Sequence, residues 1–509
     1  MKKYIFLLII GLSVSLTSQG QAYEAVYNKI AESYTINSDG SAEYRYQKEI
    51  QLNTHMSFNN LYGETFIVYN PAYQTLKINE CYTKQKDGTI IKAPNNAFNP
   101  SLPSFAVDAP AYNNLTEMVV THTGLELGCT VYLDYTITSK PGFLASQDVY
   151  KVMNEMSPIK DYQITITSSQ PLTYEQTIKP GVEPQKSGNT YTWNFKNIPA
   201  RLPETNVAST VSPFFFASTQ QSNEARVKAI TELINKAAGS SVNNYKGNPK
   251  ICCITKYVTT EVGNSQVPLA YANQVRPAQE VANSAYGTNM EKAALMLSLC
   301  KAAKIPAEVV LTFPENVPPS ILNVQNVFIK TDDKLTSPVN GSEGNLAKLC
   351  YKSSIWSNGN EMKVKAAPEV VSFKAEKNLN TDKAGLTEQA NYLVYALPTP
   401  QEGFDTWMIR TLNTERKQAL EIPNLLNETC EYAITLPEGA KLSTKPYLQT
   451  IGNKVGEVKL QLTQEGNVVK VNRSISLNQE VIPTSDYAQF RALVNLWNNP
   501  AYKSIVMKK

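Results

Sequence analysis

The stretch Ser284–Val310 reads SAYGTNMEKAALMLSLCKAAKIPAEVV, and the fold turns on it. Thr288 stands three residues before Glu291, the spacing of a capping box. Its hydroxyl takes the N–H of the third helical residue, and the Glu291 carboxylate reaches back to the cap. A helix is therefore predicted to open at Asn289, with Ala294, Leu295, Leu297, Leu299 and Ala302 as its buried surface. Ile305-Pro306 ends it, because proline lacks an N–H and crowds the turn before it. The runs Ala307–Phe313 and Asn326–Thr331 follow as strands.

Upstream, Val227, Ile230, Leu233, Ile234 and Ala237 recur at helical spacing, and Gly239 marks a stop. Asn248-Pro249 opens a second helix with Ile251, Ile254 and Val258 inward. Residues 268–288 are expected as a loop. Together these segments predict a central α+β core over residues 215–345.

On both sides the period changes to two. In Ser41–Leu52 the residues Ala42, Tyr44, Tyr46, Ile50 and Leu52 alternate with charged and amide side chains. Asp87-Gly88 predicts a hairpin turn. Val131, Leu133, Tyr135 and Ile137 share one face, and Thr190–Ile198 is a strand around Trp193 and Phe195. Residues 23–205 are thus expected to form an N-terminal β-sandwich. Residues 346–400 are expected as an irregular connector with short strands, around Tyr351–Trp356 and Tyr392–Leu397. Residues 401–509 are expected as a C-terminal β-sandwich. It has a hairpin at Glu465-Gly466-Asn467 and a face of Val469, Val471, Ile475 and Leu477 interrupted by Arg473. A closing helix from Ser485 carries the stripe Tyr487, Phe490, Val494 and Trp497. The fold class is α+β multidomain.

Composition narrows the setting. The chain has 509 residues, 42% of them apolar but only 18% charged, with 28 Tyr. The net charge of +4 without a basic stripe gives no basis for nucleic-acid binding. Residues 1–22 have the form of a signal peptide: Lys2-Lys3, the apolar run Tyr4–Leu16, and a small-x-small exit at Gly20-Gln21-Ala22. An exported protein, periplasmic or at the cell surface, is expected. No lipid-attachment cysteine and no transmembrane anchor are foreseen. The seven cysteines, Cys81, Cys129, Cys252, Cys253, Cys300, Cys350 and Cys430, show neither a disulfide framework nor C-x-x-C spacing. Cys252 and Cys253 are assigned to packing or a bridge. His55 and His122 are the two histidines, assigned to surface or packing roles. No metal or cofactor is expected.

The motifs Arg276-Pro277-Ala278-Gln279-Glu280-Val281, Tyr286–Ala293 and Ile305-Pro306-Ala307-Glu308-Val309-Val310 resemble those of transglutaminase-like, papain-related proteins. The resemblance covers roughly residues 245–340. It is nearest to bacterial envelope members with a domain of unknown function of the 3857 type in front and a β domain behind. It implies a cysteine-protease-like core with a Cys at the helix start, a His on the next strand and an Asp one strand further. At those places this chain has Asn289, then Asn326 (or Gln325 with a one-residue slip), then Ser337 before Pro338.

An amide in place of the thiol forms no acyl intermediate and has no useful titration near neutral pH. Cys300 lies about three turns down the same helix, in its buried body. Asp332 and Asp333 belong to a turn, and no spacing recommends a Ser–Lys pair. The expectation is a pseudoenzyme whose candidate cleft residues Asn289, Gln325, Asn326 and Ser337 bind a peptide, protein or glycan. The alternative is an active protease or acyltransferase with a non-standard nucleophile. A glycan-handling adhesion module, suggested by rows such as Tyr44 and Tyr46, has weaker support because such rows face a core.

Overall fold

The computed structural model describes residues 23–509 apart from 60, 144–146, 209–211, 333, 345, 347–348, 350–352, 364–369, 381–384 and 411. The expected signal peptide, Cys350 and Asp333 lie outside the described residues, as does the start of the strand expected at Tyr351–Trp356.

The chain is multidomain and rich in strands, and its first part is built on an eight-stranded sheet. Alternation decides which faces are covered. Ala42–Leu52 sits between Ala25–Ile36 and Thr130–Ser139, antiparallel to both. Ala25–Ile36 pairs in parallel with Ile159–Ser168, which pairs with Thr190–Ile198. Two three-stranded sheets accompany the large one. One is Glu64–Tyr69, Thr116–Thr121 and Phe98–Ser101; the other is Thr173–Gln176, Phe214–Ser218 and Asp148–Val152. Trp193, Phe195 and Phe215 fill one core of this sandwich-like arrangement. The turn at Gly88 has φ +94°, a conformation that favours glycine.

In the middle of the chain, helices Asn223–Ala237, Ile251–Thr260, Leu269–Ala272, Ala278–Ser284 and Asn289–Ala302 precede a six-stranded sheet. Glu308–Pro314 lies at its centre, antiparallel to Asn326–Thr331 and to Ser353–Ser357. Val227, Ile230 and Ile234 from the first helix meet Ile254, Val258, Leu295 and Leu311 in one core. Two expectations are corrected here. Residues 268–288 hold two short helices, each begun just after a proline, Pro268 and Pro277, and each ended by a left-handed residue, Asn273 and Ala285. The helix Asn289–Ala302 has no single apolar face. Met290–Met296 are all buried, Glu291 and Lys292 included, because layers pack around the whole first half of the helix.

The last part has a five-stranded sheet and a four-stranded sheet. Val370–Asn380 pairs in parallel with Leu425–Thr435, and Tyr392–Ala396 pairs with Ser504–Lys508. In the stretch expected as an irregular connector with short strands, the strand foreseen at Tyr392–Leu397 is found at Tyr392–Ala396, while the long strand Val370–Asn380 is not among those foreseen. The helix Tyr487–Trp497 docks through Tyr487, Phe490, Val494 and Trp497. The chain does not close with it: Ser504–Lys508 returns as a strand. Arg473 interrupts the apolar face of the strand Val468–Leu477 for a physical reason. Its guanidinium lies 4.4 Å from the Trp497 ring centre and donates from Nη2 to the Trp497 carbonyl at 2.7 Å.

Candidate functional site

The opening of the central helix is held from three directions. Thr288 Oγ1 accepts from the Glu291 N–H at 3.3 Å, and Glu291 Oε2 accepts from the Thr288 N–H at 2.8 Å, which completes the capping box. Glu291 is fully buried. Arg276 donates to it from Nε at 2.8 Å, from Nη2 at 3.0 Å and from its backbone N–H at 3.2 Å. The hydroxyl of Tyr112, from the N-terminal part of the chain, donates to the same carboxylate. Burial opposes the charge on Arg276, but its hydrogen bonds to Glu291 and that residue's charge outweigh burial and hold the guanidinium above its ordinary pKa. Gly287 is required by close approach: a Cβ there would lie 2.9 Å from Val281 Cγ1 and 3.2 Å from Glu291 Cβ.

Lys292, one residue on, is also fully buried and donates to the Val262 carbonyl at 2.8 Å and Asn264 Oδ1 at 2.6 Å. Burial pushes its pKa down to about 8. These two bonds tie the helix to residues 262–264, of which Gly263 and Asn264 pair with Tyr286 and Gly287.

In front of this helix start lies a cavity of about 260 Å³. Residues 265–270 form one wall, Thr288, Asn289 and Met290 a second, and Ile321, Leu322, Val324 and Gln325 of the loop 321–325 with Val327 a third. The loop is set by Asn323, whose Oδ1 accepts from the Ser320 N–H at 2.8 Å and whose Nδ2 donates to the Pro318 carbonyl at 3.0 Å. The polar side chains of the lining are Ser265, Gln266, Thr288, Asn289 and Gln325; the rest is apolar.

Of the residues singled out from the sequence, the cavity brings together Asn289 and Gln325. Gln325 is further held by Ser353, whose Oγ donates to Oε1 at 2.8 Å. Asn326 is exposed at the start of its strand, and its Nδ2 donates to Thr312 Oγ1 at 3.2 Å. Ser337 lies just past Lys334–Thr336 and closes a turn, its carbonyl accepting from Gly341 N–H at 2.9 Å. Neither Asn326 nor Ser337 lines the cavity. Cys300 is fully buried, and burial pushes its thiol up to about 11.

Sequence reasoning missed the partnership of Arg276, Tyr112 and Glu291. Two of these were visible as motif residues, but nothing in their spacing pairs them. It also missed a thiol–imidazole contact in the N-terminal part. Buried His122 lies 2.9 Å from Thr65 Oγ1 through Nε2 and 3.7 Å from Cys81 Sγ through Nδ1. Burial drives this pair to its neutral forms, with Cys81 pushed up to about 11 and His122 down to about 3. His55 is exposed, edge-on to Phe58. Among the described residues no three His, Cys, Asp or Glu side chains are placed to hold a metal ion, and no helix is long and apolar enough to cross a membrane.

Residues 38–201 match a domain of unknown function with a solved structure, DUF3857, and residues 392–507 match a second, DUF3858. Nearly the whole chain is similar to a crystal structure from Parabacteroides distasonis described as a "putative protease". The two are 32% identical over 96% of this chain and 100% of that one, with a TM-score of 0.83. The chain belongs to the family of that protein. No curated protein matches it. In this family member the cavity and the central helix fall between the two matched domains, covered by neither.

Proposed function

We propose that the protein is a non-catalytic, transglutaminase-like binding protein of the cell envelope whose cavity at the central helix takes a peptide. In this reading residues 1–22 export it, residues 23–205 and 215–345 form the first two domains, and the last begins near the strand Val370–Asn380. One observation carries the reading: among the described residues, no side chain lining the cavity is a thiol, imidazole, carboxylate or amine. Ser265 and Thr288 bring hydroxyls to the lining, but a hydroxyl nucleophile needs an adjacent general base, and general acid–base catalysis needs a titrating group within hydrogen-bond reach of the reacting atoms. What lines the cavity instead suits recognition. The amides of Asn289 and Gln325 match peptide groups, and Val267, Leu269, Met290 and Leu322 offer an apolar seat for a side chain. The helix start adds N–H donors that have no partner within the helix.

The test is a titration of labelled peptides, each with one apolar residue in a neutral backbone, followed by fluorescence anisotropy. Saturable binding that weakens in Asn289→Ala and in Gln325→Ala is expected. Binding unchanged by both substitutions would remove the cavity from the reading.

The description of the Parabacteroides relative favours a second reading, an active protease with a non-standard nucleophile. Its signature is cleavage of a fluorogenic peptide that disappears on a point substitution in residues 215–345.

A further inference from the structure

Cys252 and Cys253 occupy the first turn of the helix Ile251–Thr260, with their sulfurs 3.8 Å apart. Of the two roles expected for them, packing or a bridge, the bridge is not found. Both thiols are free, Cys252 is exposed and Cys253 is half-buried, whereas Cys81, Cys129, Cys300 and Cys430 are buried.

A disulfide does not fit this backbone. Adjacent Cα atoms are about 3.8 Å apart, below the span of roughly 4.4–6.8 Å that a disulfide prefers. Closing it would also disturb the turn in which the Cys253 and Ile254 N–H groups both donate to the Lys250 carbonyl at 3.0 Å. Chelation does fit. Two metal–sulfur bonds of about 2.3 Å at a tetrahedral angle place their sulfurs about 3.8 Å apart. The helix therefore presents the two sulfurs at the bite that such an ion requires, with no backbone change.

We infer that Cys252 and Cys253 form a two-thiolate chelating site for one thiophilic, tetrahedral ion of the zinc class. Binding forms two metal–sulfur bonds, breaks two S–H bonds and releases two protons to solvent, with no change of oxidation state. Among the described residues no third His, Cys, Asp or Glu joins the pair. The remaining coordination positions are left to water or a small exogenous ligand, which makes the site one that exchanges its ion.

The test titrates the reduced full chain with Zn²⁺ against a chromophoric chelator, and with Co²⁺ to look for a thiolate charge-transfer band. One ion per chain, two protons released and a cobalt–thiolate band are expected. Cys252→Ser and Cys253→Ser should each weaken binding more than about tenfold, since losing even a supporting residue costs that much at known sites. Native alkylation of Cys252, the exposed thiol, is an independent check that needs no variant, and it should abolish binding. Zn²⁺ affinity retained in the double serine variant or after alkylation, or one ion bridging two chains, would overturn the assignment.

Discussion

Glu291 is buried completely and is gripped by Arg276 on both oxygens, Nε to Oε1 at 2.8 Å and Nη2 to Oε2 at 3.0 Å. The pair stands immediately beneath the residues that open the cavity. Glu291→Gln leaves a buried guanidinium without its counter-charge and is expected to cost about 3–5 kcal/mol. Urea denaturation measures it. Replacing both residues by apolar ones of similar volume should cost less than Glu291→Gln alone, and the reverse order would show that the charges themselves stabilise the fold.

Tyr112 reaches the same carboxylate from the N-terminal part of the chain. Tyr112→Phe removes a hydrogen bond to a charged group, worth about 1.5–3 kcal/mol. In a double-mutant cycle with Glu291→Gln the two effects should fall short of additive, because they share one partner. Strict additivity would mean that the hydroxyl does not act through Glu291.

His122 predicts a pH dependence. Burial, then the charge of Lys48, depresses its folded pKa to about 3. The unfolded chain binds a proton near pH 6.5 and the folded chain does not, so stability falls as pH drops from about 6.5 towards 3. At pH 5 the loss from this group is about 2 kcal/mol. His122→Asn should flatten the decline between pH 6.5 and 4. An unchanged slope would assign the acid sensitivity to the carboxylates.

Asn289 is exposed at the first position of the central helix. Asn289→Ala should change stability by less than about 0.5 kcal/mol. Asn289→Cys places a thiol where the helix start favours the thiolate, so it should label at a pH below about 8.5, faster than Cys300. The variant should still cleave nothing, because neither the cavity lining nor Asn326 supplies a base. Cleavage by this single variant would show that a base is within reach.

Arg473 stacks on Trp497 and donates to its carbonyl, joining the sheet to the docked helix. Arg473→Lys loses the planar stacking and is expected to cost about 1–2 kcal/mol. A variant as stable as the wild type would mean that the aliphatic stem alone provides the packing.

Local pattern was enough to place the capping box at Thr288 and Glu291, the hairpins at Gly88 and Gly466, the strands around Trp193 and the docked stripe ending in Trp497. Each depends on contacts within a few residues or on a period of 2 or 3.6, and such signals are written along the chain. The order of a helical middle between β-rich flanks was legible for the same reason. The presence of Asn289 rather than a thiol at the helix start was likewise visible from residue identity alone.

Only the tertiary structure decided what depends on approach between distant segments. It put Arg276 and Tyr112 on one buried carboxylate, buried Lys292, and set Cys81 against His122. It also seated Asn289 with Gln325 in one cavity while leaving Asn326 and Ser337 outside it. It added the strand Val370–Asn380 beside Leu425–Thr435, because a strand's partner is chosen by register across the fold and not by its own composition. Pairing of buried charges has no period, and a burial cost is set by every layer packed around a group. Those terms exist only once the chain has closed on itself.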